Sequence, residues 1–187
     1  RLVSRLDPGS DAFKAAADAM GEKLARVKTL EDRVRENSAA KREKFDKRGQ
    51  LLPRERVARL LDRDAPFLEI APLAGLNMHD DDGARGASGG GSIVGVGSVA
   101  GKRVVVGASD SAIKGGTVAP MGLRKSLRAQ EIALQNRLPM IHLVESGGAN
   151  LMHQAEIFVD GGRSFANQAR LSAAGIPQIA IVHGSST

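Results

Sequence analysis

The residues in this chain whose types and spacing could do chemistry are chiefly glycines. An apolar run, Met140-Ile141-His142-Leu143-Val144, passes through Glu145 into Ser146-Gly147-Gly148-Ala149-Asn150. It reads as a buried strand opening into a loop that presents backbone rather than side chains. Two adjacent glycines let another molecule approach the main chain and allow the positive φ angles that aim successive N–H groups at one point. Such a pair can hold a developing oxyanion without a charged side chain, and Gly147 and Gly148 are the candidate donors. A second stretch, Ser109-Asp110-Ser111-Ala112-Ile113-Lys114-Gly115-Gly116-Thr117, sets a lysine beside two more glycines. There Lys114 is either a contact for a phosphate or ribose, with the Gly115 amide close by, or a solvated lysine in a turn.

The elements around these stretches must give them a common position. Residues 92–99 and 103–108 read as strands around the hairpin Ala100-Gly101-Lys102. Gly95-Val96-Gly97 has no helix start after it and is no dinucleotide fingerprint. After Pro120, residues 121–137 form a helical pattern with Leu123, Leu127, Ile132 and Leu134 inward and Arg124, Lys125 and Arg128 outward, stopped by Leu138-Pro139. A strand, a helix and a parallel strand make a right-handed crossover. The unit repeats with a helix over residues 164–174, a stop at Gly175-Ile176-Pro177 and a strand over 178–182. Sites in such layouts lie beyond the carboxyl ends of the parallel strands. Residues 109–117, 146–150 and 184–187 are therefore expected to converge on one rim.

Upstream, Phe13, Ala17, Met20, Leu24, Val27, Leu30 and Val34 recur at spacings of three and four, which predicts one amphipathic helix over 11–37 with Ser10 as its cap. Its stripe is expected to pack on its own domain or on a partner subunit. A charged link over 41–49 leads to a second helix that starts at Pro53 and faces inward with Val57, Leu60 and Leu61. Phe67-Leu68-Glu69-Ile70 reads as a short strand. Residues 77–91 lack periodicity, and their His79, Asp80, Asp81 and Asp82 match no calcium or zinc spacing, so a mobile surface loop is expected.

Composition narrows the partners. The chain has 187 residues and a net charge of +6, yet only five phenylalanines and no tryptophan or tyrosine for base stacking. Its lysines and arginines alternate with acidic residues on the N-terminal helical pattern, which suits a solvated face better than a nucleic-acid surface. A basic patch that meets the phosphates of an anionic cofactor is compatible with this. There is no cysteine, which removes disulfides and thiolate metal sites. No apolar run approaches the roughly 20 residues of a membrane span. The strand over 178–182 is followed almost at once by Ser185-Ser186-Thr187, so the chain reads as a segment of a longer one.

Several stretches carry a resemblance. Ile113-Lys114-Gly115-Gly116-Thr117, Leu127-Arg128-Ala129-Gln130-Glu131-Ile132-Ala133, Asn136-Arg137-Leu138-Pro139, Glu145-Ser146-Gly147-Gly148-Ala149-Asn150-Leu151 and Gly175-Ile176-Pro177-Gln178-Ile179 together resemble the carboxyltransferase, or β, subunit of the biotin-dependent acyl-CoA carboxylases. The Gly-Gly-Ala-Asn-Leu version is similar to the 3-methylcrotonyl-CoA and geranyl-CoA branch. The resemblance implies an α/β fold with a crotonase-like ββα spiral core. It gives an N-terminal helical region over 1–66 and the first part of the crotonase-like domain over 67–187.

It also implies a chemistry. Carboxybiotin on a partner subunit would release CO2, its ureido nitrogen would take the acyl-CoA proton, and the enolate would attack CO2. The protein would stabilise the enolate oxygen with backbone amides and exclude water. Gly147 and Gly148 would line the thioester pocket, Ser109, Lys114, Gly115 and Gly116 the CoA side, and Ser146, Ala149 and Asn150 the substrate loop, with no metal. The implied partners are a biotin carboxylase and carrier α subunit and further β subunits, as dimers within a hexamer, with no nucleic acid and no membrane. The implied compartment is the bacterial cytoplasm or the mitochondrial matrix. Glu145 stands where aspartate is usual and Ser109 where asparagine is common, and Met152-His153-Gln154 departs from the methylcrotonyl pattern; these changes lean toward a geranyl-type or other long branched acyl group. Propionyl-CoA-type carboxylation, biotin-linked decarboxylation and crotonase-type hydration or isomerisation are the rival reactions, and a non-catalytic oligomerisation segment is a third reading. His142 is expected to be a core or interface residue, and His153 and His183 pocket-wall or surface residues.

Overall fold

The computed structural model describes residues 3–78 and 88–186. Its elements are α1 (Asp11–Ala39), α2 (Arg42–Asp46), α3 (Pro53–Leu60), β1 (Leu68–Glu69), β2 (Ser92–Val99), β3 (Lys102–Ser109), α4 (Pro120–Asn136), β4 (Met140–Ser146), α5 (Gln154–Ala173) and β5 (Gln178–Ser186). One sheet holds the five strands in chain order, antiparallel from β1 to β3 and parallel from β3 to β5. The helices α4 and α5 are the crossovers of the two parallel joins. The His79-Asp80-Asp81-Asp82 stretch and Thr187 lie outside the described residues.

The chain divides into two compact units, residues 1–33 and 34–187, with the boundary inside α1. In the first, Ser10 caps α1 as expected, its hydroxyl accepting from the Phe13 N–H at 3.3 Å. Met20, Leu24 and Val27 of the apolar stripe are exposed. In the second, the middle of the sheet, β2 to β4, is covered on both faces, while Ile179, Ile181 and Val182 of β5 are exposed. Val57 of α3 packs with Ile93, Val104, Val106, Ala108, Ile141 and Leu143 on one side. On the other, Ala129 and Ala133 of α4 and Leu171 of α5 pack with Val94, Val105 and Met140. Burial on both sides is why residues 104–108 of β3 are apolar without a break and why the run of β4 before Glu145 is broken only by His142. Gly95 and Gly97 belong to this packing, since a Cβ on either would run into Phe67 or Leu61.

Three expectations need correction. The helix expected over 164–174 starts ten residues earlier, at Gln154. Phe158, Val159 and Phe165 of α5 are exposed while Ile157, Asn167 and Leu171 are buried, so the apolar period does not point at this sheet. The expected mobile loop is not one at its end: residues 88–90 are buried, and the Gly89 N–H donates to Ala74 O at 2.8 Å. Finally, Lys125 does not face outward. It is 4% exposed, and its amine donates to Ser92 O at 2.7 Å and Gly89 O at 3.2 Å. It fastens α4 to the turn that enters β2.

Burial lowers the Lys125 pKa to about 8, against a partial offset from Glu69. The unfolded chain keeps this proton up to its ordinary value of 10.5. Between those pH values the unfolded state binds more protons than the folded one, so stability rises with pH across that window. The gain expected is on the order of 3 kcal/mol, from about 1.4 kcal/mol per pH unit. The neutral amine still has donors for both carbonyls. Denaturation midpoints followed from pH 8 to 10.5 should rise in the wild-type protein and stay flat in Lys125→Met; equal slopes in the two proteins would refute this.

Candidate functional site

β3 and β4 run parallel with Ala108 beside Leu143, so the loops that leave them start side by side. The first loop is anchored at once. Asp110 N–H donates to Gly91 O at 2.9 Å, and its carboxylate accepts from Ser38 Oγ at 3.0 Å and from Ala112 N–H at 3.3 Å. Burial raises the Asp110 pKa, opposed by the Ser38 hydrogen bond. The loop then turns through three successive left-handed residues, Lys114 (φ 45), Gly115 (φ 66) and Gly116 (φ 78). Gly116 is required by space as well as by φ: a Cβ there would overlap the Glu145 carbonyl.

The second loop lies against the first. Gly147 N–H donates to Gly116 O at 3.4 Å, and Gly148 N–H donates to Ser146 Oγ at 3.1 Å. The former is longer than the usual range for such a bond and correspondingly weak. Val118 N–H donates to Gly148 O at 2.9 Å and Asn150 N–H to Val118 O at 3.0 Å, a short parallel bridge between Val118 and Ala149. The two glycine pairs thus meet in space, with Gly115 and Gly147 exposed and Gly116 buried beneath them.

The remaining expected site residues divide. Lys114 and Ala149 are exposed at the same rim. The side chain of Asn150 caps the short turn Leu151–His153, its Oδ1 accepting from Met152 N–H at 3.1 Å. Ser109 faces the α4 side of the sheet, where a cavity of about 110 Å³ is bounded by Gly116, Thr117, Ser126 and His142 as well. His142 lies across from Gly107, where a Cβ would come within 3.0 Å of its ring. Burial lowers its pKa. Among the described residues, no three His, Asp or Glu side chains are grouped to hold a metal.

One cluster was missed by reading the sequence. Glu145 is on the same face of β4 as Ile141 and Leu143, and is 7% exposed. Its carboxylate accepts from Ser111 Oγ at 2.8 Å and from Arg56 Nη1 of α3 at 3.4 Å. His183 on β5 puts Nδ1 2.6 Å from the same Arg56 nitrogen and 3.8 Å from the carboxylate. A guanidinium only donates, so His183 accepts and is neutral, in keeping with a pKa lowered by burial and by Arg56. Alternation along β4 was the available signal: it puts an acid among core positions, and a buried acid demands a cation and hydrogen-bond donors.

The arrangement stacks two glycine pairs at the ends of parallel strands beside Lys114, with the Gly116 N–H donating to Ile113 O at 3.0 Å as the Gly147 and Gly148 N–H groups donate within the rim. Comparison with known proteins gives it relatives. A carboxyl transferase domain profile matches residues 44–187. The chain is 54% identical over 149 residues to the biotin-dependent 3-methylcrotonyl-coenzyme A carboxylase β1 subunit of Mycobacterium tuberculosis, covering 78% of this chain and 27% of that protein. It is 45% identical over its full length to 32% of a probable mitochondrial methylcrotonoyl-CoA carboxylase β chain of Drosophila melanogaster. The crystal structure of the P. aeruginosa geranyl-CoA carboxylase β subunit superposes with a TM-score of 0.90 at 54% identity, over 99% of this chain and 34% of that one. The chain therefore spans about a third or less of the length of these relatives.

Proposed function

We propose, from the premise that this chain belongs to the carboxyl transferase domain family, that it builds the acyl-CoA side of the carboxyltransferase site in a biotin-dependent acyl-CoA carboxylase. The observation that carries this is the meeting of Gly115-Gly116 with Gly147-Gly148 at the carboxyl ends of β3 and β4. The acyl group proposed is branched and unsaturated, as in 3-methylcrotonyl-CoA or geranyl-CoA, in line with relatives of both names. Carboxybiotin, held by a partner subunit, supplies both the CO2 and the nitrogen that takes the substrate proton. The chain's own contribution is then placement. The Gly147 N–H, weakly held by Gly116 O, is the donor most readily turned to a thioester oxygen, and Gly148 can follow if the Ser146 hydroxyl rotates away. Lys114 offers a charge to the CoA phosphates, and Gly115 leaves open space beside it. Charge developing on the oxygen in the transition state strengthens such hydrogen bonds, which is how they lower a barrier.

The proposed partners are a biotin-bearing α subunit and further copies of the β subunit. The exposed Phe158, Val159 and Phe165 of α5 support a covered surface in the assembled protein. The proposed compartment is the mitochondrial matrix in a eukaryote and the cytoplasm in a bacterium. The test is ATP- and bicarbonate-dependent carboxylation by the full-length protein with its biotin subunit, across methylcrotonyl-, geranyl- and propionyl-CoA. Incorporation is expected with the first two, and failure with all three refutes the proposal.

A further inference from the structure

Glu145 touches the rim with both its side chain and its main chain. The carboxylate accepts from Ser111 Oγ at 2.8 Å, and the backbone carbonyl fills the space that a Cβ on Gly116 would need. Ser111 opens the first loop and Gly116 closes it, so residues 111–116 are fastened over one residue of β4. Gly184 on β5 shuts the far side, where a Cβ would meet the Glu145 side chain at 2.8 Å. Arg56 holds the carboxylate from α3. An apolar side chain at this position would pack beside Ile141 and Leu143 with no need of partners, and buried ion pairs bring little net stability over such a replacement. What the carboxylate adds is a directed bond to Ser111, and with it a fixed place for the loop.

We infer that Glu145, acting through Ser111, is a positioning residue that sets the spacing between the Gly115-Gly116 and Gly147-Gly148 pairs. As a statement about catalysis this rests on the carboxyl-transfer reading above; as a statement about the loop it does not. Donors that stabilise a developing charge must lie within tenths of an ångström of where it forms. Loosening their frame therefore lowers kcat while the ground-state affinity for acyl-CoA stays nearly the same.

The test compares Ser111→Ala, Ser111→Thr and Glu145→Gln in the full-length protein with its biotin subunit. Ser111→Ala should lower kcat about tenfold with KM for acyl-CoA within about twofold, and Ser111→Thr, which keeps the hydroxyl, should restore the rate. Amide hydrogen exchange gives a readout that needs no turnover: peptides covering 111–118 and 146–150 should exchange faster in Ser111→Ala, with α3 unchanged and Ser111→Thr at the wild-type level. Glu145→Gln should loosen the same two peptides. Unchanged exchange in Ser111→Ala, or equal loosening in Ser111→Thr, overturns the inference. Equal proportional changes in kcat and KM overturn its catalytic part. If the wild-type protein carboxylates no acyl-CoA, the functional reading fails, and the exchange data alone decide the positioning role.

Discussion

Replacing Gly122 with alanine is expected to destabilise the full-length protein by about 3 kcal/mol, the upper end of the usual penalty for over-packing. Intrinsic propensity argues the reverse, since alanine in a helix interior is favoured over glycine by about 1 kcal/mol. The structure decides between them. Gly122 sits in the first turn of α4 against the turn before β2, and a Cβ there would overlap the Gly90 carbonyl; a Cβ on Gly90 would in turn meet Gly122 N and Cα at 2.8 Å. Both sides of this contact are backbone, so no rotamer change relieves it. Gly162, inside α5, is the control: a Cβ there meets nothing within 4 Å, and alanine should raise stability by about 0.5–1 kcal/mol. Chemical denaturation of both variants checks the pair. A neutral or stabilising Gly122→Ala would show that α4 and the turn can separate, and would loosen the whole rim behind Gly116.

The second large effect concerns charge. Arg56→Ala is expected to cost about 3 kcal/mol at pH 7.5, the lower end for removing one partner of a buried ion pair. The lower end applies because the contact is single, at 3.4 Å, with side chains 14% and 9% exposed. Glu145 would keep the Ser111 hydroxyl and lose its cation. Arg56→Met, which retains the packing stem, should lose most of the same stability, since what matters is the carboxylate left without a cation.

The pH dependence follows with its sign. In the wild-type protein His183 has a lowered pKa, so its contribution falls as the pH drops below its unfolded value. Without Arg56, His183 faces Glu145 3.8 Å away and gains on protonation, a raised pKa whose stabilisation is present at low pH and fades as the pH rises. Both trends narrow the gap between wild type and variant between pH 7.5 and 5.5. A gap that stays constant over that range would rule out His183 as the substitute partner.

The sequence alone determined the order of the elements, and did so where burial is two-sided or turn chemistry is strict. The runs of β3 and β4 are mostly apolar because helices cover both faces. Pro120 and Leu138-Pro139 bracket α4 because proline suits the first turn of a helix and not its interior, and the glycine pairs announced the two rim loops. Local signals failed where a segment answers to something outside it. Ten residues of α5 went unread because Phe158 and Val159 are exposed rather than turned to this sheet. Lys125 was read as outward because on a helical wheel it looks like its neighbours Arg124 and Arg128.

Only the tertiary structure decided what those loops are to each other. That Gly116 must be glycine follows from the carbonyl of a residue 29 positions later, and that Gly122 must be follows from Gly90, 32 positions earlier. The cluster of Arg56, Ser111, Glu145 and His183 draws on α3, a loop and two strands, and no local window contains more than one of them. Periodicity reports which side of an element is apolar, because burial is a property of each residue in turn. Close backbone approach and charge pairing are properties of two residues at once, and the chain records them only when it is folded.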